Sequence, residues 1–297
     1  MGAVPHPIPY QGSKRRLAPQ ILDFVDGRTF ETLYEPFAGS AAFTIAAGSR
    51  GLADRYVIGD SLEPLMDIWG AILSTPTALA SAYEDLWEEQ KTEPGEHFNR
   101  VRTEYNEKGG AARLLYLLAR CVKNAPRWNK GGGFSQSADH RRKGMRPSRM
   151  RAQIERCHEL LSGTTTALSQ DAVATSAMAG ASDLVYLDPP WQGTSAGSDT
   201  RYHSGFDRAD LEAMLTSLNT RQVPWILSYD GRHGERTYGP PLGGDLIGAH
   251  IELAAGRSSQ ATLSGRSAET FESLYLSPTL AGEISAATAN PQLAVAL

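Results

Sequence analysis

A short run of apolar residues that stops at two prolines constrains the fold of this chain more than any other feature of its sequence. Residues 184–187 are Leu-Val-Tyr-Leu, and Asp188-Pro189-Pro190 follows directly. A continuous apolar run of this length is typical of a strand buried on both faces of a parallel sheet. The run ends there because proline has no N–H to donate to a strand ladder. The sequence therefore predicts a parallel sheet with a carboxylate at the end of one buried strand.

Apolar runs and helical patterns alternate along the rest of the chain, which indicates an α/β fold. Further strands are predicted at 32–37, 56–60 and 224–228, with an antiparallel pair at the sheet edge at 250–255 and 271–276. Helices are predicted at 41–50, 62–73, 78–91, 113–123, 149–161 and 208–218, and a loop or hairpin at 127–144. The predicted organisation is a core formed by 1–61 and 169–277, a mainly helical insertion at 62–168, and a flexible tail at 278–297.

Composition excludes several classes of protein. The 297 residues are 41% hydrophobic and 21% charged, which is ordinary for a globular chain and unlike a disordered or fibrous one. The sequence has no apolar run of about 18 residues, so we expect no membrane span and no membrane partner. Residues 1–16 lack the apolar segment of a secretory signal. The two cysteines provide neither a disulfide framework nor a zinc site, and a cytoplasmic protein is predicted.

The charges are distributed unevenly. The chain as a whole carries a net charge of −4, but residues 113–156 hold 12 basic and 2 acidic residues, while the remainder holds 17 basic and 31 acidic ones. A basic segment inside an acidic protein predicts a polyanionic partner. The alternative interpretation is a basic loop that is only solvated.

The tetrapeptide Asp188-Pro189-Pro190-Trp191 is the first candidate site, because ligands of open parallel sheets bind at the carboxyl ends of the strands. An amino group on a planar heterocycle has two N–H donors. The Asp188 carboxylate and the Pro189 carbonyl are suited to accept one each, while Trp191 stacks on the ring. The alternative interpretation is a strand-ending turn with a packed tryptophan.

A second candidate site is the turn from Glu35 to Ser40, whose small residues allow a ligand to approach the backbone. Asp60 ends the next predicted strand about 20 residues later, the spacing at which an acidic residue binds ribose hydroxyls. Together these features indicate a cofactor that contains adenosine. The dinucleotide fingerprint and the Walker A motif are both absent, which disfavours NAD and ATP. The alternative role of Asp60 is to cap a helix.

Four motifs in this order resemble the Dam-like adenine-specific DNA methyltransferases, the α-group or D12 class. The similarity covers residues 7–277. Its motifs are the opening segment Tyr10 to Leu17, the cofactor segment Tyr34 to Ser40, the acid in Gly59-Asp60, and the catalytic tetrapeptide 188–191. Between them, segments 120–124 and 127–134 resemble the DNA-recognition insertion of the family. The resemblance implies a Rossmann-like methyltransferase sheet with an inserted, mainly helical DNA-recognition domain.

The resemblance also implies S-adenosylmethionine as cofactor, double-stranded DNA as partner, N6 of a flipped adenine as methyl acceptor, and no metal. The implied catalytic residues are Asp188, Pro189, Pro190 and Trp191. The implied cofactor-binding residues are Tyr10, Gly12, Ser13, Lys14, Glu35, Pro36, Phe37, Ala38, Gly39, Ser40, Asp60, Asp171, Ala172 and Asp188. A cognate restriction endonuclease is a further partner that such enzymes have, and a bacterial nucleoid or phage-infected cell is the implied location.

The basic insertion supplies the predicted DNA-binding residues. Its cations are candidates for phosphate contacts, its asparagines for reading base edges, and its tryptophan for a wedge in the DNA or, alternatively, for a core anchor. These residues are Arg120, Lys123, Asn124, Arg127, Trp128, Asn129, Lys130, Arg141, Arg142 and Lys143.

Three features depart from the family pattern. Ala41 occupies the position of the second glycine in the cofactor turn, Trp191 stands where the tetrapeptide usually ends in tyrosine, and the sequence of the insertion is divergent. Methylation of cytosine N4 in DNA, methylation of adenine in RNA, and a non-catalytic DNA-binding regulator on the same scaffold therefore stay open as alternatives.

Overall fold

The computed structural model describes residues 3–191, 206–233, 236–237, 240–257 and 269–287. A single sheet runs through it in the strand order β3-β2-β1-β4-β5-β8-β7, and β6 pairs with β5. The strands are β1 Phe30–Glu35, β2 Ala53–Asp60, β3 Thr165–Ser169, β4 Leu184–Leu187, β5 Trp225–His233, β6 Arg236–Thr237, β7 Ala249–Arg257 and β8 Glu269–Leu276. The α/β fold predicted from the sequence is confirmed.

Strand direction divides the sheet into two parts. The five strands β3, β2, β1, β4 and β5 are parallel, whereas β8 is antiparallel to β5 and β7 is antiparallel to β8. The predicted antiparallel pair at the sheet edge is therefore present. The strand order reverses between β1 and β4, and that reversal is where open α/β sheets form a crevice at their carboxyl edge.

Ten helices surround the described sheet. They are α1 Ala18–Leu22, α2 Ala42–Arg50, α3 Glu63–Ser74, α4 Pro76–Glu89, α5 Pro94–Lys108, α6 Ala111–Arg120, α7 Pro147–Leu161, α8 Ala172–Ala177, α9 Arg208–Thr220 and α10 Pro278–Ala287. Along β1, Leu33 packs with residues of α1, α2 and α10, while its neighbour Tyr34 packs with residues of α9 on the other face. This alternation makes the core two-layered, with helices on both faces of the sheet.

The insertion packs against the sheet as part of one continuous core. Ile45 of α2 and Ile58 of β2 belong to the same apolar cluster as Trp69 of α3 and the buried residues of α4 to α7. The expected boundary at residue 168 falls inside β3, which pairs with β2 from Thr165 onward. Residues 165–168 therefore belong to the sheet, a correction that follows from their backbone pairing.

The C-terminal segment differs from the predicted flexible tail over its first ten residues. Residues 278–287 form α10, and Leu280, Ala281 and Ile284 are buried against the α1 and α2 face of the sheet. The alanine-rich composition of the segment did not indicate that these apolar side chains would be buried. Residues 288–297 lie outside the described residues.

Within the described part of the chain, no helix combines the length and the apolar character that crossing a bilayer requires.

Candidate active site

The turn after β1 is shaped by two residues with left-handed backbone. Gly39 has φ +49° and Ala41 has φ +44°. Ala41 thus adopts a conformation that favours glycine, at a cost of roughly 1–2 kcal/mol, and the chain keeps the turn without the second glycine of the family pattern. The indole N–H of Trp69 donates to the Gly39 carbonyl at 3.1 Å, which fixes the turn to α3.

Asp60 ties this turn to the end of β2. Its Oδ2 accepts a hydrogen bond from the Gly39 N–H at 3.0 Å, and its Oδ1 accepts one from the Leu62 N–H at 2.9 Å. The second contact holds the backbone just before α3, but Leu62 and not Asp60 is the N-cap of that helix, so the helix-cap interpretation was wrong in that detail. Asp60 also lines the cavity described below, as the ribose interpretation expected. A role for Asp60 in binding ribose hydroxyls stays a prediction.

Lys14 and Asp188 meet across the carboxyl edge of the sheet. Lys14 belongs to the short 3-10 helix Lys14–Arg16, and its Nζ lies 2.8 Å from Oδ1 of Asp188 and 2.7 Å from Oε1 of Glu272 on β8. Burial lowers the pKa of Lys14, but the two carboxylates outweigh burial and the pKa lies above its ordinary value. Burial raises the pKa of Asp188 to about 6, Lys14 opposes that rise, and Glu272 adds to it.

Glu35 is a buried carboxyl group at the end of β1. It is 3% exposed, and its Oε2 accepts a hydrogen bond from the Thr44 N–H at 2.8 Å in the first turn of α2. Burial raises the pKa of Glu35 to about 8 despite that hydrogen bond. A carboxyl group with this pKa is mostly protonated at neutral pH. Glu35 therefore contributes little negative charge to the site.

These residues line one cavity of about 600 Å³ at the carboxyl edge of the parallel strands. Fourteen of its lining residues are predicted catalytic or cofactor-binding residues, which come from the opening segment, the turn after β1, β2 and the tetrapeptide. They are Tyr10, Gly12, Ser13, Lys14, Glu35, Phe37, Ala38, Gly39, Ser40, Asp60, Asp188, Pro189, Pro190 and Trp191. Ser13 and Ser40 are joined by a 2.8 Å hydrogen bond between their hydroxyls, which connects the opening segment to the turn.

Three residues that the resemblance assigned to the cofactor do not line this cavity. They are Pro36, Asp171 and Ala172. Asp171 caps α8, because its Oδ1 accepts a hydrogen bond from the Ala174 N–H at 2.8 Å. A role for Asp171 and Ala172 in binding a cofactor stays a prediction from the resemblance.

The insertion presents most of its predicted DNA contacts at the surface, with one clear exception. Lys123, Arg127, Lys130, Arg141 and Lys143 are exposed, as is Arg142. Arg120 is only 2% exposed, and its guanidinium donates to the backbone carbonyls of Asp139, Arg142 and Pro94. The prediction that Arg120 contacts phosphate is therefore wrong. The Arg120 guanidinium instead stabilises the loop that contains Asp139 and Arg142.

The two asparagines have local roles in the insertion. The amide of Asn124 donates to the Leu118 carbonyl at 2.8 Å and accepts from Arg142, so both of its ends are used within the protein. This differs from the prediction that Asn124 reads bases. Oδ1 of Asn129 accepts from the N–H groups of Gly131 and Gly133, each at 2.9 Å, and so closes the glycine turn of the hairpin.

Trp128 has the contacts of the core-anchor interpretation, and its role as a wedge in the DNA stays a prediction. It pairs with Phe134 across the hairpin, and its ring contacts that of Phe134 edge to face at 5.5 Å. It also lines the cavity from the insertion side. Trp128 is thus a partly buried anchor of the insertion with one side on the candidate site.

The sequence did not reveal several residues of the site, of which Glu272 and Trp69 matter most. Glu272 interrupts the apolar strand β8 with a charge, and that interruption was the available signal. Trp69 has no such signal, since a buried tryptophan in an apolar helix is ordinary. Trp69 does not line the cavity, and the cavity residues outside the predicted set are, besides Glu272, Gln11, Arg16, Leu17, Ala42, Ser61, Leu62 and Phe206.

A family model and a curated relative agree with the resemblance seen in the sequence. The family model of the D12 class N6 adenine-specific DNA methyltransferases matches residues 10–284. The retron Ec67 DNA adenine methylase of Escherichia coli is 27% identical over 203 residues, which cover 66% of this chain and 67% of that protein. The solved structure of "Putative methyltransferase yhhF" from Escherichia coli aligns at 13% identity and TM-score 0.37, over 91% of this chain and 90% of that one.

The family match extends over most of the chain and includes every motif that lines the cavity. The chain belongs to the D12 class of N6 adenine-specific DNA methyltransferases.

Proposed function

We propose that the cavity holds S-adenosylmethionine beside an adenine that has been flipped out of DNA, and that Asp188 directs methyl transfer to N6 of that adenine. The observation that carries the proposal is that Asp60, Gly39 and the tetrapeptide 188–191 line one continuous cavity. Asp60, the proposed ribose-binding acid, and Asp188, the proposed base-binding acid, thus line the same cavity. Membership of the family indicates the reaction, and the residues that line this cavity support the proposal that the reaction occurs there.

The residues present fit the cofactor chemically. Asp60 is a carboxylate whose oxygens can accept hydrogen bonds from ribose hydroxyls. Gly39 lets a ligand approach the backbone closely, and an ideal Cβ added to Gly39 lies 3.6 Å from the ring of Tyr10, so a side chain there would take up part of that space. Tyr10 and Phe37 give the cavity apolar faces. The cofactor supplies an electrophilic methyl group on a positively charged sulfur.

The tetrapeptide fits an amino group on a flat ring. Asp188 and the Pro189 carbonyl accept hydrogen bonds from the two N–H groups of adenine N6, while Trp191 offers a ring face for stacking. These hydrogen bonds draw N6 toward tetrahedral geometry and localise its lone pair. With the cofactor bound, its methyl group would pass from sulfur to this lone pair. The Asp188 carboxylate, which accepts a hydrogen bond from N6, would take up the proton that N6 releases.

The insertion fits the DNA backbone. A base inside a duplex does not reach the end of a buried strand, so adenine must leave the helix at a cost of a few kcal/mol. The exposed cations Arg127, Lys130, Arg141 and Lys143 supply phosphate contacts that offset this cost. Trp128 lies where the insertion meets the cavity and provides a second flat surface near the flipped base.

Identification of the methylated nucleoside tests the proposal against its alternatives. Purified protein is incubated with S-adenosylmethionine and either duplex DNA or RNA, and the nucleosides are then analysed by mass spectrometry. We expect N6-methyladenine in DNA. N4-methylcytosine, or methylation of RNA alone, would contradict the proposal, and cofactor binding without any methylated product would favour the non-catalytic regulator. Asp188→Asn should lose most of this activity. Asp183→Asn is the matched control and should keep it, since Asp183 lies at the opposite end of β4.

A further inference from the structure

Glu272 reaches the cavity because of its position and register on β8. Since β8 is antiparallel to β5, its N-terminal half lies at the carboxyl edge of the parallel strands, where the cavity is. Glu272 shares a face with Leu274 and Leu276, which pack with Leu17 in the same apolar cluster. That face is the one on which the 3-10 helix of Lys14 lies. Strand alternation therefore directs Glu272 toward Lys14.

A bulge in β5 accommodates this arrangement. The pairing shifts by one residue between Ser228 and Gly231, and Gly231 is opposite Glu272. Gly231 has φ +153°, and a Cβ at Gly231 would lie 2.2 Å from the Phe271 carbonyl oxygen. Glycine is therefore required for β5 to approach β8 this closely. Bulges of this kind re-aim side chains next to active sites.

Lys14 divides its charge between two carboxylates. Its Nζ lies 2.8 Å from Asp188 and 2.7 Å from Glu272, and the Lys14, Asp188 and Glu272 side chains are 10%, 20% and 7% exposed. The cluster of these three residues holds one cation and two carboxylates, so its formal charge is −1. With Glu272 absent, Lys14 would neutralise Asp188 completely.

Two further titratable groups face Asp188. Glu35 at the end of β1 is mostly protonated at neutral pH, because burial raises its pKa to about 8. Tyr186 on β4 is buried, its hydroxyl donates to Ser228 Oγ at 3.1 Å, and burial raises its pKa well above the ordinary value. Both groups are uncharged at neutral pH. The negative charge of the cluster around Lys14 therefore comes from Asp188 and Glu272.

We propose that Glu272 is a positioning residue for methyl transfer, which holds Lys14 between two carboxylates so that Asp188 keeps a fixed orientation and the cluster keeps a net negative charge. The proposal rests on the role of Asp188 given above. A site with net negative charge is complementary to a sulfonium ligand and to the positive charge that develops on N6 as it is alkylated. Glu272 adds its own negative charge to the cluster, and it acts on Asp188 through the Lys14 ammonium group that lies between the two carboxylates.

Three variants test the role of Glu272. In Glu272→Gln the cluster becomes neutral, Lys14 binds Asp188 alone, and we expect kcat to fall about 10- to 100-fold with KM for DNA nearly unchanged. The acid limb of the kcat/KM profile, expected near pH 6 in the native enzyme, should shift to lower pH, because the charge of Glu272 raises the pKa of Asp188. Glu272→Asp keeps the charge and should keep the acid limb. Glu252→Gln, an exposed carboxylate on β7, is the matched control and should keep both.

An unchanged acid limb in a folded Glu272→Gln variant would overturn the proposal, because a merely structural carboxylate would alter stability and not the pH profile. If Glu272→Gln does not fold, thermal unfolding of Lys14→Met and of the Lys14→Met/Glu272→Gln double variant decides. Should Glu272 act through Lys14, the double variant unfolds at a higher temperature than Lys14→Met. Additive destabilisation would contradict the proposal. Full activity of Asp188→Asn would instead refute the proposed function, so the two failures are distinguishable.

Discussion

Lys14 Nζ lies 2.8 Å from Oδ1 of Asp188, and this buried ion pair joins the N-terminal segment of the chain to the end of β4. Removing one partner of a buried pair leaves an uncompensated charge, which costs about 3–5 kcal/mol. Lys14→Met should therefore lower the urea midpoint strongly. It should also move the acid limb of activity to higher pH, since Lys14 lowers the pKa of Asp188.

Arg15→Met is the control for this variant, because Arg15 is an exposed cation in the same 3-10 helix. It should leave both the urea midpoint and the acid limb near their native values. An equal loss of stability in the two variants would show that the helix, and not the ion pair, accounts for the effect.

Glu35 should make the protein less stable as the pH rises. Its folded pKa of about 8 lies above the ordinary carboxyl value of 4.5, so the folded state retains a proton that the unfolded state releases. The free energy of unfolding should therefore fall between about pH 4.5 and pH 8, by an amount on the order of several kcal/mol. Glu35→Gln removes this titration, and urea unfolding at pH 5.5 and pH 9 should show a flatter dependence.

Glu31→Gln on the same strand is the matched control, since Glu31 is exposed. It should follow the native pH dependence. If the free energy of unfolding of Glu35→Gln changed between pH 5.5 and pH 9 as much as that of the native protein, the Glu35 carboxyl group would not be buried in its neutral form.

Trp69 should contribute to cofactor binding without contacting the cofactor. Its indole N–H fixes the Gly39 carbonyl, and Trp69→Phe removes that hydrogen bond at a cost of about 1–3 kcal/mol. We expect calorimetry to show weaker binding of S-adenosylmethionine, by roughly 3- to 10-fold. Trp87→Phe is the control, because the Trp87 N–H has no hydrogen-bond partner among the described residues. Equal affinities in the two variants would contradict the role of the Gly39 turn.

The exposed cations of the insertion should determine how DNA affinity depends on salt. Each phosphate contact contributes about 0.9 to the slope of log affinity against log salt. The Arg141→Ala/Lys143→Ala double variant should therefore reduce the slope by about 2. Arg55 is an exposed cation near the amino end of β2, and Arg55→Ala should leave the slope unchanged. An unaltered slope in the double variant would show that the DNA does not contact Arg141 and Lys143.

Local patterns were sufficient to predict the central sheet and most of the cavity. The run 184–187 and the Glu35 to Ser40 turn carry their own signals, because burial on two faces selects apolar residues and a tight turn selects small ones. Strand β3 was missed because it is a short, half-exposed edge strand with no apolar run. Helix α5 was also missed, since its four buried residues stand among charged ones.

Tertiary contacts account for the predictions that failed. Nothing local distinguishes Arg120 from the exposed cations near it, but its guanidinium donates to three backbone carbonyls, two in the loop at Asp139 and Arg142 and one at Pro94. In the same way, Glu272 becomes a site residue only when β8 pairs with the bulged β5. Such roles depend on which segments meet in space, and single-sequence patterns do not record that.

The central claim is that the Asp188 carboxylate directs methyl transfer at N6 of adenine. The most direct measurement is the single-turnover rate of methyl transfer to duplex DNA by Asp188→Asn, with Asp183→Asn as control and with DNA and cofactor affinities measured in parallel. We expect the Asp188→Asn rate to fall by about 10²- to 10³-fold while both affinities stay within about threefold of native values. A rate for Asp188→Asn within about tenfold of the native rate would contradict the claim.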